Sequence, residues 1–194
     1  MCATFLALVQ RAHFSHGHTY DQYTVRIFRG IHRRVADDVA ATAPEGATVL
    51  DAGCGSGRLA VEIARRRPDL LVHGVDLEAG MIEVAKQHAE QQKVADRVHF
   101  TVADLADLQL PADSVDMIVS TASLHHWVDA GAVVASLGRV LRPDGRLWIY
   151  DFRLVPSGRV RAAARELSRR MDRTLIRTGR FPAALFQRLA VDPA

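Results

Sequence analysis

The chain has 194 residues, 48% hydrophobic and 24% charged, an ordinary globular composition that excludes disorder and fibrous repeats and suffices for one domain with a sizeable core. The formal net charge of +3 is modest, and ten arginines between Arg153 and Arg188 place the asymmetry in the tail. Two cysteines, Cys2 and Cys54, offer no disulfide framework and no zinc pattern, which fits a reducing cytoplasm.

The apolar opening, Cys2 to Val9, lacks the basic start of a secretory signal and is too short to span a bilayer, so neither export nor a membrane span is expected. Phe5, Leu8 and Ala12 have helical spacing. His13, His16 and His18 follow in a segment broken by Ser15 and Gly17; with no second ligand cluster, it reads as a histidine-rich loop rather than a metal site. A helix is predicted from about Asp21 to Ala41, with Val25, Phe28, Val35 and Val39 on its buried face, and it ends at the Pro44-Glu45-Gly46 break. Residues 1–45 thus read as an N-terminal helical cap, and 46–194 as the domain it belongs to.

Short runs rich in valine, isoleucine and leucine then alternate with helical stretches. Strands are predicted at Thr48–Asp51, Leu71–Asp76, Val98–Val102, Val115–Ser120 and Arg146–Asp151, and helices at Arg58–Arg67, Ala79–Gln92 and Ala130–Leu141. Strands buried on both faces with right-handed helical crossovers make a doubly wound, mostly parallel α/β sheet with helices on both faces. Pro143 ends the last of these helices and Asp144-Gly145 turns into the fifth strand. Beyond it, Val160, Ala164, Leu167, Met171 and Leu175 form an apolar helical stripe beside Arg161, Arg165, Arg169, Arg173 and Arg177. Arginines so spaced are more often a solvated face than a nucleic-acid stripe. Leu185–Val191 is the last strand candidate.

Function concentrates in Val49-Leu50-Asp51-Ala52-Gly53-Cys54-Gly55-Ser56-Gly57, where a strand ends in an acid and three alternate glycines before a helix. Glycines admit positive φ and close approach of a ligand to the backbone, and the first helical amides face the crevice at the strand ends. Gly55, Gly57 and Ala60 also satisfy a relaxed dinucleotide spacing, with Asp76 near the distance for a ribose contact. Asp51 separates the two readings, since a carboxylate opening the loop suits a cationic ligand better than a pyrophosphate.

The Asp-x-Gly-x-Gly-x-Gly segment at 51–57 resembles the first motif of class I S-adenosylmethionine-dependent methyltransferases. Three more segments resemble that family in order: Gly74-Val75-Asp76-Leu77 with Met81; Ala103-Asp104-Leu105; and Arg139-Val140-Leu141-Arg142-Pro143-Asp144-Gly145, where Asp144 stands for one of the usual two glycines. The resemblance covers about residues 47–152. It implies a Rossmann-like fold in which the loop from Asp51 to Gly57, with Gly53, Cys54, Gly55 and Gly57, holds the methionyl part of the cofactor, Asp51 lying near its amino group. It further implies that Asp76 accepts from both ribose hydroxyls and Asp104 from the adenine amino group. Leu77, Met81 and Leu105 would flank the purine beside Ala103, and Ser120 would lie beneath the methionyl group. By the same analogy the helices before residue 45 cover the site, with Tyr20 a candidate to close over the cofactor. S-adenosylhomocysteine would be the product. The family usually ends in a sixth and an antiparallel seventh strand, and the single late strand candidate implies a shortened C-terminal hairpin.

The acceptor is less legible. Ser123-Leu124-His125-His126-Trp127 follows the fourth strand, and similar Leu-His-His segments stand there in related methyltransferases; His125 and His126 are the candidates for a general base, and Trp127 packs or walls the acceptor pocket. Ser120-Thr121-Ala122-Ser123 replaces the Asn/Asp-Pro-Pro-Tyr segment associated with nucleobase and protein amide acceptors. A small-molecule acceptor follows, with nucleic acid disfavoured and a homodimer left open. The competing readings are a non-catalytic S-adenosylmethionine-binding module and a nicotinamide-dependent oxidoreductase.

Overall fold

A computed structural model describes residues 17–152, 158, 174–175, 179–180 and 186–192. In chain order its elements are α1 (Gly17–Thr42), β1 (Thr48–Ala52), α2 (Arg58–Arg66), β2 (Leu71–Asp76), α3 (Ala79–Gln91), β3 (Val98–Val102), a 3-10 turn (Leu105–Asp107), β4 (Val115–Thr121), a second 3-10 turn (Leu124–His126), α4 (Ala130–Val140), β5 (Leu141–Phe152), β6 (Thr174–Leu175), β7 (Gly179–Arg180) and β8 (Phe186–Asp192). The sheet runs β3-β2-β1-β4-β5-β8-β6, with β7 also paired to β8. β1 to β5 are parallel, and β8 runs antiparallel to β5. The doubly wound, mostly parallel sheet expected from the sequence is therefore present. Among the described residues, β6 and β7 have two residues each and β8 has seven.

Alternation along the strands sorts the core onto two faces. Val49, Val72, Met117, Val119, Trp148 and Tyr150 pack under α1 and α2 through Ile31, Val35, Val39, Leu59 and Ile63. Leu50, Ala52, Ile118, Leu147 and Ile149 face α4 through Val133, Val134 and Leu137. By the same period, Asp51 points to the face of Val49, toward the start of α2.

Three boundaries differ from expectation: α1 begins at Gly17, so His18, expected in a loop, lies within the helix. β5 begins at Leu141, which pairs with Val115, and the register then jumps so that Met117 faces Arg146. Residues 142–145 bulge out of the strand, so Pro143 gives no missing ladder donor. The arginine-flanked stripe at 160–171 falls outside the described residues, and Leu175 at its end lies in β6, opposite Val191. No helix among the described residues is long and apolar enough to cross a membrane.

Arg67, just past α2, fixes α1 to the sheet. Its guanidinium donates to the carbonyls of Ala40, Ala43 and Pro44 at 2.9, 3.0 and 3.1 Å, closing the orphan acceptors at the end of α1. Asp69 holds it in place at 2.7 Å. Replacing Arg67 by Met keeps the aliphatic stem but strands these carbonyls, and should lower stability by about 2 kcal/mol in urea unfolding; a loss below about 0.5 kcal/mol would mean that water replaces the guanidinium without cost.

Candidate active site

The crevice opens at the carboxyl ends of the strands, where β1 and β4 lie side by side and their following chain segments depart in opposite directions. The loop after β1 leans toward β2. The amides of Gly53 and Cys54 both donate to the Val75 carbonyl, at 2.8 and 3.0 Å. Gly55 N donates to Asp76 Oδ2 at 2.8 Å, and Glu78 N to Asp76 Oδ1 at 3.0 Å. Asp76 is thereby anchored through both oxygens, each retaining a further acceptor site.

The three glycines of the loop do different work. At Gly53 a side chain would collide with the Ser123 hydroxyl, so the gap is filled by protein and not left to a ligand. At Gly57 a Cβ would sit 2.6 Å from the Phe100 ring and 2.7 Å from Ala85, so this glycine serves helix-to-sheet packing. Only Gly55, at φ +50°, has nothing within 4 Å. It is the position at which the backbone itself is open to a ligand.

A cavity of about 460 Å³ lies against this loop, walled by Gly53, Cys54, Gly55, Ser56, Asp76, Leu77, Glu78, Met81, Ala103, Asp104, Leu105, Thr121, Ala122, Ser123, His126, Trp127 and Val128, with Arg58 and His32 also lining it. Most of the residues expected at the site are thus brought together. Leu77 is 72% exposed, an apolar side chain turned to the opening. Asp104 caps the first 3-10 turn, accepting from Ala106 N through Oδ1 at 2.8 Å, which leaves its other oxygen to face outward.

Asp51, Gly57, Ser120 and His125 do not line the cavity. Asp51 is buried beneath the loop, 1% exposed, and its Oδ2 has no hydrogen-bond partner among the described residues. Burial pushes its carboxyl up to about 7; the Ala60 amide opposes this and the charge of Asp76 adds to it. Ser120 is buried under the cavity floor, which its neighbour Thr121 supplies. Burial, with the nearby Asp51 and Asp76, also pushes the Cys54 thiol well up, which opposes a nucleophilic role.

The two histidines after β4 part company in the second 3-10 turn. His125 turns inward, its Nδ1 3.2 Å from Asp151 Oδ1 and its backbone N–H donating to Oδ2 at 3.3 Å; both side chains are buried. His126 is exposed and lines the cavity, with the two ring centroids 3.9 Å apart. The turn starts at Ala122, which holds φ +53°, a left-handed conformation that a non-glycine residue adopts at some cost.

Sequence reasoning passed over His32. It extends the buried stripe of α1 formed by Ile31, Val35, Ala36 and Val39 to the cavity rim, so the available signal was a titratable residue on a core-facing helical stripe. Tyr20 also lies in α1, but twelve residues earlier, about 18 Å along a straight helix from His32.

The Asp51 carboxyl holds its proton to higher pH in the folded chain than the ordinary value of 3.8 for an unfolded one. Its contribution is complete below pH 4 and is lost as pH rises to about 7, with a slope of up to ~1.4 kcal/mol per pH unit in that window. Asp51→Asn should remove this slope; parallel urea-unfolding curves for the two proteins between pH 4 and pH 7 would show that Asp51 ionises normally.

A family model described as a methyltransferase domain matches residues 44–178, more than two thirds of the chain. The 27-O-demethylrifamycin SV methyltransferase of Amycolatopsis mediterranei is 40% identical over 126 residues, 64% of this chain and 46% of that protein. The 2-phytyl-1,4-naphtoquinone methyltransferase of Trichormus variabilis is 34% identical over 137 residues, 69% of this chain and 59% of that protein. The chain spans about half the length of these curated relatives. In fold it resembles the geranyl diphosphate C-methyltransferase of Streptomyces coelicolor, solved with Mg2+, geranyl diphosphate and S-adenosyl-L-homocysteine. That structure has a TM-score of 0.66 and 18% identity, over 86% of this chain and 79% of that one. With the strand order and the ordered motifs from Asp51 to Gly145, these matches make the chain a member of the class I S-adenosylmethionine-dependent methyltransferases.

Proposed function

We propose that this chain transfers the methyl group of S-adenosylmethionine to an oxygen, nitrogen or carbon of a small molecule, in the cytoplasm, releasing S-adenosylhomocysteine. The observation that carries the reading is the doubly anchored Asp76 carboxylate on the cavity wall, with the unpartnered oxygen of Asp51 buried behind the adjoining loop. Bound there, S-adenosylmethionine supplies a methyl group already activated on a sulfonium, so positioning and exclusion of water provide much of the acceleration.

The residues present fit that ligand. Asp76 has one acceptor site left on each oxygen, which suits a vicinal diol. Asp51, buried beneath the loop, acts on an ammonium above it through its charge, and a nearby cation lowers its raised pKa. The open backbone at Gly55 admits the amino-acid end of the ligand, with the amides of Gly53 and Cys54 spent on Val75 and Ser120 below. Leu77, Met81, Ala103 and Leu105 give apolar surface for a purine, and the second oxygen of Asp104 an acceptor for its amino group. We assign His32 as an α1 residue that reaches the site, with Tyr20 of the same helix the candidate to close over the cofactor.

For acceptors that must lose a proton, we assign His126 as the base, since its ring reaches the cavity. Asp151 and His125 hold the turn that presents it. The names of the two relatives, a rifamycin and a phytyl naphthoquinone methyltransferase, favour a small molecule over nucleic acid.

Calorimetry should detect binding of S-adenosylhomocysteine, and a methyl-label screen against metabolite fractions should give a labelled product; binding without any transfer would leave a cofactor-binding module. Asp76→Ala should weaken cofactor binding by roughly 1.5 to 3 kcal/mol, and unchanged affinity would remove Asp76 from the site. His126→Ala should lower kcat about a hundredfold for a hydroxyl or amine acceptor and abolish the acid limb of the pH profile. An unaltered pH profile would assign the proton to another group.

A further inference from the structure

On the side of the cavity away from Asp76, the wall is Ala122, Ser123, His126, Trp127, Val128, Asp129 and Val133. Trp127 is half-buried and packs against the core on the α4 face of the sheet. Its Nε1–H donates to Ser123 Oγ at 3.0 Å, and that hydroxyl occupies the space left by Gly53. The one polar group of the indole is therefore committed inside the protein, and what the ring offers the cavity is apolar π surface. Val128 beside it is 96% exposed, an extreme for a valine on a cavity wall. Asp129, also on this wall, caps α4 through Oδ1, which accepts from Gly131 N and Ala132 N at 3.0 Å each, and its carboxylate sets a negative charge beside Val128.

We propose that Trp127, set by Ser123 against Gly53, is the specificity-determining wall of the acceptor site, and that the acceptor is an uncharged, planar ring system. This rests on the methyltransferase reading and deepens it to a substrate class. A flat ring covers indole and Val128 surface that is otherwise in water, and an aromatic pair adds to that burial. A carboxylate or phosphate on the acceptor would lose hydration against the indole and Val128 and would meet the like charge of Asp129 beside them. The latch has a second consequence. Because Ser123 rests on the cofactor loop at Gly53, the acceptor wall and the donor loop are built as one unit, which suits a reaction requiring their alignment.

The test uses protein saturated with S-adenosylhomocysteine and titrated by calorimetry with three matched probes: naphthol, naphthoate and decalol. Naphthol should bind about tenfold or more tighter than either the charged or the saturated ring. Trp127→Phe should keep that preference. Trp127→Leu, which retains apolar bulk, should abolish the preference for naphthol over decalol while leaving the affinity for S-adenosylhomocysteine unchanged, so a misfolded variant is recognised by its lost cofactor binding. Ser123→Ala should reduce the preference as well, by freeing the indole. Naphthoate or decalol binding as tightly as naphthol, or a preference that survives in Trp127→Leu, would overturn the proposal. Failure of the wild-type protein to bind S-adenosylhomocysteine at the outset would instead overturn the methyltransferase reading beneath it.

Discussion

The site depends on where the glycine loop is hung. Two successive amides, Gly53 and Cys54, share one carbonyl at Val75, and the next glycine donates to the carboxylate of the following residue, Asp76. A loop leaving the central strand β1 is thereby drawn over β2, and the floor between β1 and β4 is left open. Gly55 must then take a positive φ, and α2 must begin directly above Asp51. The position of the cavity, the burial of Asp51 and the orientation of Asp76 all follow from that tether. Backbone amides fix both oxygens of Asp76 and leave one lone pair on each aligned toward the cavity, which is why we propose it for the ribose diol.

Much of this architecture is readable in the chain itself, because the constraints that impose it are local. Apolar runs at Thr48, Leu71 and Val115 are recognisable as buried strands, the run at Val98 as the exposed edge strand β3, and the acid at the end of each of the first two sits at the same edge of the sheet. The three glycines are different. Spacing reports that the backbone is unusual at 53, 55 and 57, but it cannot report what fills the space a side chain would take. That depends on Ser123, Phe100 and Ala85, each distant in sequence. The paired histidines pose the same problem at shorter range, since adjacent residues in a tight turn point to different sides and only Asp151, far along the chain, decides which one turns inward. The start of β5 was missed for a related reason: Pro143 signals an end to regular structure, while the bulge at 142–145 lets the strand begin before it.

Glycine at 53 also joins two things that the motif alone treats separately. Its value to the loop lies in contact with Ser123, and Ser123 in turn receives the Trp127 indole. A motif recognised for its cofactor is therefore also the footing of the segment that faces the acceptor. Strain at Ala122 belongs to the same joint, since its left-handed backbone directs the chain from the end of β4 back onto the loop. Over-determination by the packing of Ser123 and Leu124 is the condition under which such a conformation persists.

Electrostatics decides between the cofactor classes that the glycines alone leave open. Asp51, Asp76, Glu78 and Asp104 all lie at or beneath one end of the cavity, and burial raises the carboxyl of the most buried, Asp51, to about 7. A pyrophosphate placed over that loop would meet further negative charge, raising Asp51 again, and its phosphates would compete for amides already donated to Val75 and Asp76. A ligand bearing an ammonium and a sulfonium does the reverse. It relieves the repulsion among the acids and lets Asp51 ionise, so part of its binding free energy comes from removing an unfavourable interaction present in the free protein. The same balance requires that binding below neutral pH be accompanied by release of the Asp51 proton, a linkage that a neutral or anionic ligand at this site would not produce.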